Sequence, residues 1–326
     1  MSKINKENLL DQMMRHLEKN LTNFIVSGVV GITLNGGLSR GYGDHLSEVD
    51  VTVYLDRQAY KLFNEGHLGL PEGICHVDGM LYDMKILSYE EELARDFSII
   101  TELWDLSYAK ILYDKDDKIN KLFQEKLKRS VNSSDAGGIL FSAWWHIMLA
   151  CDIWLYRENA FQGHFMLNEA IKPLMQSLYI MNHEFVPHEK WLVHYLDELK
   201  WLPYDFNELM TILLGTSDLT LEGLSKRQDK LMRLYQLIND KAGYDLTKKY
   251  FVDKIEMLLK KDEYNVDTFD ELFGLRSLQS DPFRHFIDRV GDKVIVSKLK
   301  FLNINPNQMY EWHYSTVNLV QGQMTK

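Results

Sequence analysis

Glu48 and Asp50 stand two residues apart at the head of Val49-Asp50-Val51-Thr52-Val53-Tyr54-Leu55, a stretch with β-strand alternation. Successive side chains on a strand point to opposite faces, so the two carboxylates share one face while Val49 and Val51 take the other. Two carboxylates on one face make a hard-oxygen site, suited to Mg²⁺ held together with substrate phosphates. A third acid on an adjacent strand would complete a two-metal arrangement. Asp83 is that candidate, set in the otherwise apolar Leu81-Tyr82-Asp83-Met84-Lys85. Lys85 shares its face and would neutralise a pyrophosphate leaving group. Asp78 is also acidic, but its place before Gly79 is explained by turn geometry.

The run Gly36-Gly37-Leu38-Ser39-Arg40-Gly41 lies just upstream. Gly36 and Gly37 let a backbone approach a phosphate closely, and the amides of the following turn can donate to its oxygens. Ser39 adds a hydroxyl donor and Arg40 a fixed positive charge. Together with the carboxylates, these groups suit in-line attack on an α-phosphate, with a general base deprotonating the acceptor hydroxyl. The base is not identified by its pattern. Glu102, Asp105 and Glu158 are candidates, and each fits a solvated helix charge equally well.

Positioning these groups takes a small mixed sheet with helices. An amphipathic helix is expected around residues 7–20, where Leu9, Leu10, Met13, Met14 and Leu17 recur at helical spacing. Val29 to Leu34 reads as a strand that breaks at Asn35-Gly36-Gly37. Ile74–Val77 and Met80–Leu87 flank Asp78-Gly79 as a hairpin, and Ser88 with Glu91 opens the next helix. This part ends near residue 131. The polar, glycine-rich 132–138 reads as an inter-domain turn.

From Ile139 the pattern is almost wholly helical: 139–159, 165–182, 188–199, 206–214, 219–240 and 247–260. Pro187 is expected in the first turn of the helix that follows it. Lys293–Val296 is a short β-rich run in a tail whose pattern is weak. The expected fold is α+β: a catalytic domain at 1–131, then an α-helical substrate-binding domain at 132–326. Trp144, Trp145, Trp154, Tyr156 and Trp191 read mainly as core, with some free to line a cleft. The pairs His183/His188 and His146/His164 lack zinc spacing and are given no metal. Gly163 falls between Arg157 and His164 and is a potential helix breaker.

With 326 residues the chain is long enough for two domains of roughly 100–200 residues each. Its 45% hydrophobic and 26% charged residues are those of a soluble globular protein. No signal peptide and no apolar stretch near the about 18 residues of a membrane helix is expected. Cys75 and Cys151 have no metal or redox spacing and read as buried thiols of a reducing, cytoplasmic compartment. Acidic residues outnumber basic ones by 47 to 37, a net charge of -10. That balance disfavours a nucleic-acid partner and favours a small cationic one.

The run Gly36–Asp56, GGLSRGYGDHLSEVDVTVYLD, resembles the pattern of the nucleotidyltransferase superfamily (DNA polymerase beta-like fold). That pattern is Gly-Gly or Gly-Ser, about ten residues, then acidic-hydrophobic-acidic. It is more narrowly similar to the small-molecule branch of aminoglycoside and lincosamide nucleotidyltransferases. The resemblance covers about residues 25–90. It implies Glu48, Asp50 and Asp83 as Mg²⁺ ligands, and Gly37 and Ser39 on the triphosphate. It differs from the commoner pattern in carrying Gly37 for Ser and Glu48 for Asp. The Asn182…Pro187…Lys190-Trp191 junction has counterparts in that branch. Arg157 and His164 also resemble, loosely, the Arg-x(4–6)-His pattern of helical RNA-cleaving domains, which the acidic charge opposes. The implied reaction is transfer of a nucleoside monophosphate, AMP from ATP, to a hydroxyl of a small acceptor such as an antibiotic, releasing pyrophosphate. The alternatives are a protein adenylyltransferase of toxin–antitoxin type and a non-catalytic nucleotide-binding regulator. Neither the acceptor nor the oligomeric state is fixed by these residues.

Overall fold

A computed structural model describes residues 9–215, 218–304, 309 and 311–324, without the side chains of Ala150 and Glu311. Glu7 and Asn8 of the expected opening helix lie outside them. The architecture is α+β, and the chain divides into two compact units. The first is Met1–Val131 with a return segment, His183–Glu198; the second is Asn132–Asn182 with Leu199–Lys326.

In the first unit, helix α1 (Leu10–Asn20) precedes β1 (Val29–Leu34), the short helix α2 (Gly36–Ser39) and β2 (Val49–Leu55). Helix α3 (Arg57–Asn64) follows, started by Asp56, whose carboxylate accepts from the Ala59 amide at 2.9 Å. The hairpin β3 (Gly73–Val77) and β4 (Met80–Ser88) turns on Asp78 and Gly79, both at positive φ, +45° and +82°. Those two left-handed residues are what a tight hairpin between twisted strands demands. Then come α4 (Tyr89–Ala94), capped by Ser88, α5 (Glu102–Tyr108), β5 (Lys110–Asp114) and α6 (Lys118–Lys126). The strand order is β3-β4-β2-β1-β5, with β2 and β4 parallel and the other neighbours antiparallel.

β1 is buried along its whole length and β2 at every residue but Asp50. Leu34, Val49, Val51 and Tyr82 join Met13 and Leu17 of α1 in one core. Asp50 is thus the polar interruption of an otherwise buried strand. An ionisable group in that position carries a cost unless it has a partner or a task.

The second unit begins with a continuous helical stretch. A single turn at Ser133–Ala136 leads into α7 (Gly137–Trp144), a π-helical segment at Trp145–Ala150 and α8 (Cys151–Tyr156). Gly137 and Gly138, expected in a turn, are therefore helical; a Cβ on either would crowd Tyr250. By length and composition Ser133–Tyr156 is apolar enough to cross a membrane, which the sequence pattern was not expected to hold. Leu140, Ala143, Ile147 and Cys151 of this stretch are buried, and α7 lies on α9 (Ala160–Met181). Gly163 sits inside α9 and does not break it, its missing side chain leaving room for Leu224.

Helices α10 (Phe206–Leu214), α11 (Leu221–Ala242) and α12 (Leu246–Leu258) follow as the periodicity predicts. Beyond them the unit is not a pure bundle. Strands β6 (Glu263–Asn265), β7 (Ile287–Val290) and β8 (Lys293–Val296) form a small antiparallel sheet in the order β6-β8-β7. Helix α13 (Val266–Phe273) follows β6; α14 (Lys298–Leu302) and α15 (Glu311–Met324) close the chain. Residues 188–199 form turns and one 3-10 turn at Leu196–Glu198, not the expected helix, so Pro187 starts none. Trp191, His194 and Tyr195 in this segment stack on one another and on Tyr42 and Trp104. Ring packing, and not an amphipathic helical stripe, sets the path of the return segment.

Candidate active site

Parallel pairing of β2 and β4 sets Asp50 directly opposite Asp83. Neighbouring strands run about 4.8 Å apart, so the two carboxylates stand side by side on one face. Glu48, one residue before the strand, joins them from the same face of β2. Asp50 registers the crowding. Burial first, then the charges of Glu48 and Asp83, push its carboxyl up to about 6, against the pull of Lys85 and Lys190.

The glycine loop is tied to the Asp50 backbone and packs against its carboxylate. The Asn35 amide donates to the Asp50 carbonyl at 2.9 Å. Its side chain accepts from Thr33 Oγ1 at 2.8 Å and donates to Thr52 Oγ1 at 2.9 Å, both hydroxyls being on buried residues. The chain then passes through Gly36 at φ +60°, where a Cβ would run into the Asp50 carboxylate. Only glycine gives both that backbone conformation and that approach. The amides of Ser39, Arg40 and Tyr42 are taken by the carbonyls of Asn35, Gly37 and Gly37. The leading amides of the short helix, Gly36 and Gly37, are those that a first turn leaves outside intrahelical bonds.

A cleft of about 310 Å³ opens over this face, lined by Gly36, Gly37, Glu48, Asp50 and Lys85 together with Tyr42, Asp44, Asp105, His188, Lys190 and Trp191. Gly36, Gly37, Glu48, Asp50 and Lys85 therefore meet as the sequence pattern expects. Asp83 lies beside Asp50 on the sheet but does not line the cleft itself.

Two expected groups take other roles. Ser39 is buried, and its hydroxyl donates to the Gly36 carbonyl at 2.9 Å, so it braces the loop instead of facing a phosphate. Arg40 borders the cleft, yet its side chain is only 2% exposed and is paired with Asp105. Its guanidinium lies 4.0 Å over the Trp104 ring, with Tyr108 and Trp191 also near. That charge is already spent on a carboxylate and an aromatic box.

The three carboxylates considered as a base separate clearly. Glu102 accepts from Arg95 and from the Ser98 amide, which outweigh burial and hold its carboxyl below the usual range. Asp105 borders the cleft but holds Arg40. Glu158 belongs to the second unit, in a positive-φ turn. Lys190 and Trp191 are among the cleft residues, with Tyr42, Asp44 and His188, that spacing alone did not single out; a segment 140 residues downstream of Asp50 supplies Lys190 and Trp191. The one signal for them was the Lys-Trp pair after Pro187.

Among the described residues no group of three or more His, Cys, Asp and Glu side chains stands ready as a metal cage. Mg²⁺ makes no such demand, since it is commonly held by one or two carboxylates with substrate phosphates and water. Glu48 and Asp50 facing one cleft, with Asp50 destabilised by its like-charged neighbours, fit that use. The RNA-cleaving pattern is not assembled: Arg157 is exposed over Trp154, whereas His164 is buried beside Arg227. Of the expected core aromatics, Trp144 stacks between Phe141 and Trp312, but Tyr156 is 90% exposed. Cys75 and Cys151 are both free thiols, the second buried.

The sequence matches no family model and no curated protein. Among solved structures it is similar to a nucleotidyltransferase-like protein from Exiguobacterium sibiricum, at 13% identity and a TM-score of 0.48. The likeness spans 89% of this chain and 99% of that one.

Proposed function

We propose that the protein is an Mg²⁺-dependent nucleotidyltransferase that moves a nucleoside monophosphate, AMP from ATP, onto a hydroxyl of a small cationic acceptor and releases pyrophosphate. One observation carries the reading: Glu48 and Asp50 share one cleft, with Asp83 opposite Asp50 on the next strand, beside a glycine loop so tight that Gly36 abuts the Asp50 carboxylate. A half-buried carboxyl crowded by two others is held for a cation, since no stabilising gain within the fold explains it.

Glu48 and Asp50, with Asp83 alongside, would hold the metal, which when bound supplies charge neutralisation and Lewis acidity at the reacting phosphate. Gly36 and Gly37 let the triphosphate approach the backbone. Lys85 and Lys190 stand where positive charge would face the departing pyrophosphate. Tyr42 and Trp191, with ring centroids 5.1 Å apart, offer flat faces in the same cleft. Asp44 and Asp105 add negative charge beside them, which suits a cationic acceptor.

The test is incubation with α-labelled ATP, Mg²⁺ and panels of aminoglycoside-like compounds or cell protein. Label on a small molecule, with stoichiometric pyrophosphate, supports the proposal. Label on protein redirects it to protein adenylylation, and saturable ATP binding with no release of pyrophosphate redirects it to a regulator.

A further inference from the structure

Arg227, on α11 in the second unit, is 3% exposed. Its guanidinium donates to Asn168 Oδ1 at 2.6 Å, to the Leu213 carbonyl at 2.7 Å, and to Nδ1 and the carbonyl of His164 at 3.3 and 3.4 Å. Every one of these acceptors is neutral. Among the described residues no carboxylate pairs with it, and burial lowers the guanidinium from its ordinary value with only Cys151 opposing. The C-terminal carbonyl of α10 offsets part of the charge.

Arg227 has only protons to give, so His164 Nδ1 must accept from it. The imidazole proton is thereby placed on Nε2, and burial and Arg227 keep the ring neutral, against Asp218. His164 is itself 4% exposed, and its ring is held by the Asp218 backbone, so the buried donor left without a partner is Arg227 Nε. A guanidinium with an unpartnered Nε and, among the described residues, no carboxylate opposite it therefore belongs to the wall of one cavity. A fold rarely leaves such donors idle unless something fills the place.

That cavity measures about 350 Å³ and is lined by Arg227, His164, Lys226, Lys230, Thr211 and Gly223. The carboxylate that also borders it, Asp218, is engaged by the Thr220 amide and side chain. Lys226 and Lys230 are shared with Glu222 and Glu208 on exposed ground. The group that answers this lining is acceptor-only, anionic and rich in lone pairs. We propose that the Arg227–His164 cavity binds a phosphate-type oxyanion, free or carried by a small phosphomonoester, at a site separate from the carboxylate cleft.

The test is calorimetric titration of the full-length protein with inorganic phosphate at constant ionic strength, chloride serving as the reference salt. Saturable binding at one site is expected. Lys230→Ala should weaken it about fivefold at an unchanged melting temperature, and Arg227→Gln should abolish it. Lys190→Ala should leave it intact, which separates this site from the cleft and from the fate of the proposed activity. Glycerol 3-phosphate in parallel identifies the source: tighter than phosphate means a phosphorylated metabolite, weaker means the free ion. No saturable heat, or binding lost in Lys190→Ala and unchanged in Lys230→Ala and Arg227→Gln, overturns the proposal. If Arg227→Gln fails to fold, Lys230→Ala and Lys190→Ala decide the matter.

Discussion

Two buried guanidinium groups, one in each unit, are balanced in opposite ways. Arg40 is matched in charge, although its Nε, like that of Arg227, has no partner: Asp105 answers its charge and Trp104 covers its face, while nearby Glu48, Asp50 and Asp83 crowd one another. Arg227 is unmatched, surrounded by neutral acceptors beside a cavity with two lysines. The first unit thus gathers carboxylates at its cleft, and the second gathers basic side chains at its cavity. What counts is whether the fold has already answered a charge, and residue type alone does not reveal it.

The contrast can be broken most severely at Gly36. Gly36→Ala forces a positive φ on alanine and drives its Cβ at Asp50, so a loss of about 3 kcal/mol is expected in chemical denaturation. A loss under about 1 kcal/mol would mean that the loop and the carboxylate are not in contact. Asp105→Asn would make Arg40 resemble Arg227. Asp105 is 44% exposed, so the cost is set at about 2 kcal/mol, below that of a fully buried pair. An unchanged unfolding midpoint would show that Arg40 was never dependent on its partner.

Asp50 supplies a pH test of the carboxylate crowding. Its folded-state carboxyl, at about 6, lies above the ordinary 3.8, so folding favours the protonated form. The resulting stability is full below pH 4, is lost as the pH rises through 6, and stays absent above it. Asp50→Asn should therefore stabilise the metal-free protein by about 1–2 kcal/mol at pH 8 and by little at pH 4. Equal effects at both pH values would remove the like-charge crowding from the account. The smallest change is expected of Lys190→Ala. It should raise the KM for MgATP by about tenfold with little change in kcat, as for a group that binds ground and transition states alike.

Legibility followed the range of the interactions. The strands, the Asp78-Gly79 hairpin and the shared face of Glu48 and Asp50 are local, set by alternation and by glycine at positive φ, and they were readable. The pairing of Asp50 with Asp83 needed only one short-range guess about strand order. The fates of Ser39 and Arg40 were not readable, because they depend on an internal carbonyl and on Asp105, 65 residues away. The return segment hid for a similar reason: its rings are held by Tyr42, Trp104 and Tyr108 and follow no helical period. Nothing in the spacing of α11 distinguishes Arg227 from its neighbours; its burial and its neutral partners are set by residues of α9 and α10.

The central claim is that the Asp50 carboxylate is a working part of a nucleotidyl-transfer site. The direct measurement is pyrophosphate release from MgATP by wild type and by Asp50→Asn, with the acceptor that the panel identifies, at pH 8 where both proteins are folded. A loss of at least about a thousandfold in kcat, with the variant as stable as wild type or more so, is the predicted result. Release within about tenfold of wild type would contradict it.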